Sequence, residues 1–248
     1  PFDGLVVPNV NVNIIDNDAP GVSVTQTGGS TDVTEGGATD DLNVVLTSQP
    51  LVGETVTVVL TPDGETDFGS GPGVAVNVVF DSTNWNVAQT LTVIANDDSL
   101  IEGNHNSTLT TTTTSTQPAF DGLTAPDVIV NITDNDVAGV TITESGGSTN
   151  IAEGGATDTV DYVLDAQPAP GETVTLTITP DGESDLGAGP GVPVVLTFTN
   201  ADWNIPQSIT VTAVDDVVIE GAHNSVLTTT STSSLGAAST FDGLVIQN

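Results

Sequence analysis

The sequence predicts an all-β protein made of tandem Greek-key antiparallel β-sandwiches of the immunoglobulin-like kind, with about seven strands in each. Short runs of alternating apolar and polar residues recur along the 248 residues, and Gly, Pro, Asn and Asp separate them. No stretch has the period of a helix. Short motifs also return at one fixed spacing, which indicates two copies of a single unit.

The repeat spacing is 118 residues. The triplet Asp-Asn-Asp starts at 16 and at 134, EGGATD starts at 35 and at 153, and IEG starts at 101 and at 219. We therefore predict a closing strand of a preceding repeat, or a donor strand, in residues 1–18, then repeat 1 in 19–136 and repeat 2 in 137–248. The closing strand of repeat 1, DVIVNITDND, ends on the second triplet, and the sequence contains no counterpart of it for repeat 2.

The alternating runs and the turn residues between them also place the individual strands. Repeat 2 is predicted to contain the same strands between 140 and 230, without the closing strand. In repeat 1 the predicted strands are 21–27, 32–35, 40–47, 54–61, 74–80, 89–95, 105–114 and 127–133.

The charge balance excludes several classes of function. The chain has no Lys or Arg and 33 Asp and Glu, a formal charge of -33, yet 37% of its residues are hydrophobic. Without a cationic side chain nothing neutralises phosphates, so neither nucleic acid nor an anionic membrane is expected as a partner. No apolar run is long enough to span a bilayer, and with no Cys there are no disulfides.

The acids lie mainly at strand ends and recur in both repeats. Two carboxylates about 4 Å apart repel by roughly 4 kcal/mol at an effective dielectric of 20, so an acidic cluster needs a metal, a proton or wide spacing. Calcium takes six to eight oxygen ligands, whereas zinc prefers His or Cys, and each repeat has a single His. The pattern therefore favours calcium over magnesium or zinc, although each acid alone is an ordinary turn residue.

The order EGG, D, DDxxxEG and DND at strand ends resembles the Calx-β domain family. The closer likeness is to bacterial tandem repeats of secreted and surface proteins, through ADWNIPQSITVTAVDDVVIEGAH at 201–223 and the terminal VNITDND. The resemblance implies calcium at one tip of each sandwich. In repeat 1 it assigns the ion to Glu35, Asp67, Asp97, Asp98, Glu102, Asp134 and Asp136, with the carbonyl of Leu100 as an extra ligand.

The same roles in repeat 2 fall on five acids, and the first triplet supplies two more. His105 and His223 follow the Glu of the IEG motif by three residues and are interpreted as strand residues, not as ligands. The additional metal-ligating residues are Glu153, Asp185, Asp215, Asp216 and Glu220 in repeat 2, with Asp16 and Asp18 in the first triplet.

The resulting functional prediction is a calcium-binding structural repeat of a large bacterial secreted or cell-surface protein. We expect an adhesin-like spacer that calcium stiffens at the domain junctions, and no enzymatic activity. One alternative is an extracellular filament in which residues 1–18 of one copy complete repeat 2 of the next by strand addition. Others are a glycan or cell-surface recognition module, or an accessory region of a secreted hydrolase. The expected partners are calcium ions and neighbouring repeats or copies.

Overall fold

The computed structural model describes residues 4, 6 and 8–246, and the strands in this part of the chain confirm the predicted all-β class. Repeat 1 contains β1 (Val22–Gln26), β2 (Thr31–Thr34), β3 (Asp40–Leu46), β4 (Thr55–Pro62), β5 (Thr66–Asp67), β6 (Val76–Asp81), β7 (Gln89–Ala95), β8 (His105–Ser115) and β9 (Val128–Thr133). Repeat 2 contains β10 (Val140–Glu144), β11 (Asp158–Leu164), β12 (Thr173–Pro180), β13 (Ser184–Asp185), β14 (Val194–Thr199), β15 (Gln207–Ala213) and β16 (Leu227–Ser233).

Repeat 1 has two sheets, with strand orders β1-β3-β7-β5 and β2-β9-β8-β4-β6. Along β4 the side chains of Val56, Val58 and Leu60 are fully buried, and the residues between them are not. The closing strand β9 has the same alternation, because Val128, Val130 and Ile132 are buried. This period of two is what a strand with one core-facing side requires.

Repeat 2 has sheets of order β10-β11-β15-β13 and β14-β12-β16. Side chains of both sheets form one hydrophobic core, in which Tyr162 of β11, Leu176 and Ile178 of β12 and Phe198 of β14 are at most 2% exposed. Compared with repeat 1, the second sheet has three strands where the equivalent sheet has five. Counterparts of β2 and β9 are missing from it in the described part of the chain.

The strand predicted at 150–153, the counterpart of the strand predicted at 32–35 in repeat 1, is therefore wrong. In repeat 1 the equivalent strand β2 pairs with the closing strand β9. Repeat 2 offers no such partner among its described residues, and an unpaired extended segment leaves its backbone groups without a ladder. For the same reason β16 has seven residues where β8 has eleven, and 223–226 are outside the strand.

The FDGL motif closes each core near the end of the repeat. Phe120 and Phe241 are both 2% exposed. The hydroxyl of Thr113 donates to the carbonyl of Phe120 (2.5 Å), and that of Ser231 donates to the carbonyl of Phe241 (2.8 Å). The three extra residues before the second motif are thus accommodated outside the core, where a short 3₁₀ turn, Gly236–Ala238, lies.

The described chain forms two compact units. The first contains 37–96 and 106–131 together with the chain up to Val33. The second contains repeat 2 and three short segments that the sequence places in repeat 1, namely Thr34–Gly36, Asp97–His105 and 132–136. No helix in the described part of the chain has the length and apolar character needed to cross a membrane.

Candidate metal centre

The candidate site lies within the second unit and is built from its three repeat 1 segments. Thr34–Gly36 begins with the last residue of β2, Asp97–His105 runs from the connection after β7 to the first residue of β8, and 132–136 includes the last two residues of β9. The backbone amide of Glu35 donates to the carbonyl of Thr133 at 3.1 Å, which extends the β2–β9 ladder by one bond and sets Glu35 beside the triplet. The strand pairing thus determines which carboxylates meet.

Glu35 is the central residue of this site. The residue is 3% exposed, and its Oε2 atom has no hydrogen-bond partner. One ligand atom from each of Glu35, Asp134 and Asp136 lies within 4.8 Å of the others, and the Oδ2 of Asp136 is also buried without a partner. Three carboxylates at this separation, with two orphaned oxygens, have the donor chemistry of a hard cation site.

Asp134 is held in place by backbone amides. Its Oδ2 accepts hydrogen bonds from the amides of Glu102 (2.8 Å) and Gly103 (2.6 Å), and its Oδ1 accepts one from the amide of Asp136 (2.7 Å). Burial acts to raise the pKa of Asp134, but these hydrogen bonds outweigh it and lower the pKa below its ordinary value. Asp134 therefore stays ionised beside its two neighbours.

The pKa values of the other two carboxylates, Glu35 and Asp136, are shifted in the opposite direction. Burial, followed by the charges of Asp134 and Asp98, raises the pKa of Glu35 to about 7. Burial and the charge of Asp134 also raise the pKa of Asp136. An acid whose pKa is raised keeps its proton to a higher pH than usual, and in a chain without Lys or Arg a bound cation is what stabilises its ionised form.

Asn135 joins the segments without adding charge. Its side-chain amide donates to the carbonyl of Glu35 (2.9 Å) and to Oδ1 of Asp97 (3.1 Å). Gly36 lies next to Asp97 and Asn135: a Cβ added there would be 3.0 Å from the Asp97 carboxylate and 3.1 Å from the Asn135 side-chain amide. Its φ of +58° also favours glycine. The middle residue of the triplet thus orients the site, and the glycine of the TEGG motif leaves room for it.

His105, interpreted from the sequence as a strand residue and not a ligand, is the first residue of β8 and lies beside this site. Its Nε2 is 3.5 Å from Oε2 of Glu102, and ligand atoms of Glu35, Glu102 and His105 lie within 4.8 Å of one another. Its Nδ1 is 2.9 Å from the carbonyl of Gly103. The spacing of three residues after Glu102 was the available signal, because it places both side chains near one strand end.

The remaining predicted ligands of repeat 1 occupy other positions. Asp67 is in β5, in the first unit, and accepts a hydrogen bond from the amide of Gly69. Asp98 accepts one from the amide of Leu100 (2.7 Å), and Leu100 forms a parallel β-bridge with Gln167. Among the described residues, Asp67, Asp97 and Asp98 belong to no group of three or more side chains whose ligand atoms all lie within 4.8 Å of one another. Asp97 and Asp98 still contribute charge to the site.

Repeat 2 has a different arrangement. Its close group consists of Glu183, Glu220 and His223, all exposed, with His223 at 3.6 Å from each carboxylate. Glu153, the counterpart of buried Glu35, is exposed and outside that group. The other predicted ligands are separate: Asp185 accepts from the amides of Gly187 and Gly189, Asp216 accepts from the amide of Val218, and Asp215 is exposed.

The first triplet has the local conformation of the second. The amide of Asp18 donates to Oδ1 of Asp16 at 3.0 Å, as the amide of Asp136 donates to Oδ1 of Asp134. Both Asp16 and Asp18 are exposed. Neither belongs to a close group of ligand atoms among the described residues.

The comparisons with known proteins give distant structural likenesses only. Neither the family models nor the curated proteins match this chain. Among solved structures, it is similar to CBD12 from CALX1.2 at 18% identity, covering 75% of this chain and 73% of that one with a TM-score of 0.33. The calcium binding domain CBD12 of CALX1.1 is 15% identical, covering 85% of this chain and 80% of that one with a TM-score of 0.34. At these scores the family stays a prediction, and the metal is argued from the chain's own residues.

Proposed function

We propose that this chain is a calcium-binding structural module of an extracellular protein. The observation that carries the proposal is Glu35, a carboxylate that is 3% exposed, has an unpartnered oxygen and lies within 4.8 Å of ligand atoms of Asp134 and Asp136. No Lys or Arg exists in the chain to balance these charges. A bound divalent cation relieves the repulsion and gives the orphaned oxygens a partner.

The ligand chemistry favours calcium over its competitors. Glu35, Asp134 and Asp136 supply carboxylate oxygens from two segments, and Glu102 adds a fourth close to Glu35. Calcium accepts six to eight such oxygens in a flexible shell, whereas magnesium keeps several waters in a strict octahedron. Zinc prefers nitrogen and sulfur ligands, and His105 is the single nitrogen ligand in these groups. We therefore assign calcium to Glu35, Glu102, Asp134 and Asp136.

The role we propose is mechanical and non-enzymatic. The loop that carries Glu102 also contacts repeat 2, since the amide of Gln167 donates to the carbonyl of Ser99 (2.6 Å) and Ile101 packs against the repeat 2 core. An ion at Glu35 would therefore tie the end of repeat 1 to the start of repeat 2. This supports an adhesin-like spacer on a bacterial surface, where extracellular modules bind calcium with dissociation constants of about 10⁻⁴–10⁻³ M.

Calorimetric titration of the full chain with calcium tests this proposal. We expect saturable binding by the wild type, and binding at the repeat 1 site is lost in Glu35→Gln because the neutral amide removes the central ligand. Glu153→Gln is the matched control, since it makes the same change at the exposed equivalent position. Parallel titrations with magnesium and zinc establish the metal preference.

Two results would overturn the assignment. One is wild-type calcium affinity in Glu35→Gln, which would place any bound ion elsewhere. The other is saturation by zinc with no binding of calcium, which would move the site to Glu35, Glu102 and His105.

A further inference from the structure

A second group of ligand atoms adjoins the proposed calcium ligands and has a different chemical composition. It consists of Glu35, Glu102 and His105, whose ligand atoms all lie within 4.8 Å of one another. Asp134 and Asp136 offer Glu35 oxygen neighbours only, whereas this group combines two carboxylates with one imidazole. Calcium is bound through oxygen, while imidazole nitrogen is a common ligand of zinc and related transition metals. The second group therefore suits a different class of metal ion.

Glu35 distinguishes this group from an ordinary cluster of surface acids. The residue is 3% exposed, and its Oε2 atom is buried without a hydrogen-bond partner. It contributes a ligand atom to both groups. Because a buried carboxylate oxygen with no partner is costly, a cation bound beside Glu35 stabilises it in either group.

The ring of His105 is oriented as a metal ligand. Its Nδ1 is 2.9 Å from the carbonyl oxygen of Gly103, and a carbonyl oxygen only accepts, so Nδ1 is the nitrogen that carries the hydrogen. In the neutral ring the lone pair is then on Nε2, which lies 3.5 Å from Oε2 of Glu102. Metal-binding histidines commonly donate one ring N–H to a backbone carbonyl and bind the ion through the other nitrogen. Nε2 is therefore the ligand atom.

The loop that orients His105 also positions the calcium ligands. The amides of Glu102 and Gly103 donate to Oδ2 of Asp134 at 2.8 and 2.6 Å, while the Gly103 carbonyl faces the imidazole. Gly103 has a φ of +66°, a conformation that favours glycine. One short segment thus holds ligands of both groups in place, and the two groups have Glu35 and Glu102 in common.

We propose that Glu35, Glu102 and His105 bind zinc, and that zinc and calcium exclude one another because both ions use the carboxylates of Glu35 and Glu102. The exclusion rests on the proposed function, which assigns calcium to these two residues. Three protein ligands leave the fourth position of a tetrahedral zinc shell open to water. Two divalent cations on the same pair of carboxylates would repel each other strongly, so the site holds one ion at a time. Calcium occupancy then depends on the zinc concentration around the protein.

Repeat 2 provides a matched control for this site. His223 follows Glu220 by three residues, and its Nδ1 is 3.0 Å from the carbonyl of Gly221, as in repeat 1. Ligand atoms of Glu183, Glu220 and His223 form a close group, but all three residues are exposed. The group has no counterpart of buried Glu35, so we assign no metal to it. Any zinc held there would share no ligand with the calcium site.

Calorimetric titration of the full 248-residue chain with calcium at several fixed zinc concentrations tests the inference. We expect zinc to raise the apparent dissociation constant for calcium in the wild type. In His105→Gln the same effect should require at least about tenfold more zinc, because one of three ligands is lost. His223→Gln should behave like the wild type. Without zinc, all three proteins should bind calcium equally, and equal calcium-free melting temperatures verify that the variants keep the fold.

Nuclear magnetic resonance of the wild type gives a readout that needs no substitution. The chain has only two His residues, so the imidazole nitrogens are readily resolved, and His223→Gln assigns them. We expect zinc to shift Nε2 of His105 by direct coordination, with Nδ1 remaining protonated. Added calcium should reverse this shift as it displaces zinc.

Three results would overturn the inference. Zinc that binds without changing the apparent calcium affinity would show that the ions share no ligand. His105→Gln with the zinc competition of the wild type would place the zinc ligands elsewhere. A His105 ring that zinc leaves unshifted would show that His105 and Glu102 form an ion pair only.

These failures are distinguishable from failure of the proposed function. In each of the three cases, calcium binding that Glu35→Gln abolishes leaves the calcium assignment intact. Zinc coordination by His105 in a wild type that binds no calcium would overturn the proposed function, and the exclusion with it.

Discussion

Repeat 1 and repeat 2 have equivalent acids at equivalent positions, yet only repeat 1 gathers them around a buried carboxylate in the described chain. Glu35 is 3% exposed, whereas Glu153 is exposed. The difference follows from one strand: β9 pairs with β2, positions Glu35 through the bond to Thr133, and delivers Asp134 and Asp136. The same acidic loop motif therefore forms a buried carboxylate cluster only where the closing strand is in place.

The largest expected difference between the repeats is the effect of calcium on stability. Calcium at about one hundred times its dissociation constant should stabilise the fold by roughly 2.7 kcal/mol per independent site. Glu35→Gln should abolish this gain, and Glu153→Gln should preserve it. Thermal melts with calcium and with chelator measure both, and equal losses in the two variants would erase the contrast between the repeats.

The closing strand itself gives the next largest effect. Val130→Ala removes methyl groups from a fully buried position and should lower the free energy of unfolding by about 2 kcal/mol in calcium-free buffer. Val12, at the equivalent position in residues 9–18, is 75% exposed, so Val12→Ala should change the free energy of unfolding by less than about 0.5 kcal/mol. Urea denaturation compares the two variants, and a comparable loss in Val12→Ala would mean that residues 9–18 are packed against the fold.

The pH dependence of the free energy of unfolding tests the titration of Glu35. Because its pKa is raised from 4.5 to about 7, the folded state binds this proton more tightly than the unfolded chain. In calcium-free buffer the stability contributed by the protonated group is complete below pH 4.5 and is lost as the pH rises through 7. Urea denaturation between these pH values should show a shallower decline in Glu35→Gln than in Glu153→Gln. Identical slopes would show that the Glu35 carboxyl does not titrate in this range.

The smallest effect is local and appears in hydrogen exchange. The segment 105–107 belongs to β8, whereas its counterpart 223–225 precedes β16 and should exchange faster. The amides of the following residues, Thr108 and Val226, are an internal control because both are hydrogen-bonded in the same way. The Thr108 amide donates to Asp63 (2.7 Å) and the Val226 amide donates to Asp181 (2.8 Å). Equal protection of the two segments in calcium-free buffer would contradict the later start of β16 in repeat 2.

Much of the fold was predictable because alternation and turn residues are local signals. Each predicted strand of repeat 1 is found within a few residues of its predicted ends, and the repeat spacing transfers most of them to repeat 2. The two-residue strands β5 and β13 are too short to show alternation. The strand predicted at 150–153 was wrong because β2 depends on β9, a partner distant in sequence.

The site was harder to predict than the fold, for a similar reason. The sequence shows that Glu35, Asp134 and Asp136 are strand-end acids, but it does not show that Glu35 is buried or that Asp134 accepts the amides of Glu102 and Gly103. His105 is the first residue of β8, as predicted, but the sequence does not show that its ring lies close to Glu35. Asp67 belongs to a recurring motif, yet it lies in the first unit. Burial and backbone hydrogen bonds are tertiary properties, and spacing alone does not encode them.

The short connection after β9 has a consequence for the response of the chain to tension. β9 ends at Thr133, the triplet follows at once, and β10 begins at Val140. A pulling force along the backbone is therefore transmitted from β9 to β10 through Asp134 and Asp136. If calcium binds there as proposed, the force would act on the residues that hold the ion. The unfolding rate under force would then depend on the occupancy of the site. The same two carboxylates would then set how long a loaded repeat survives.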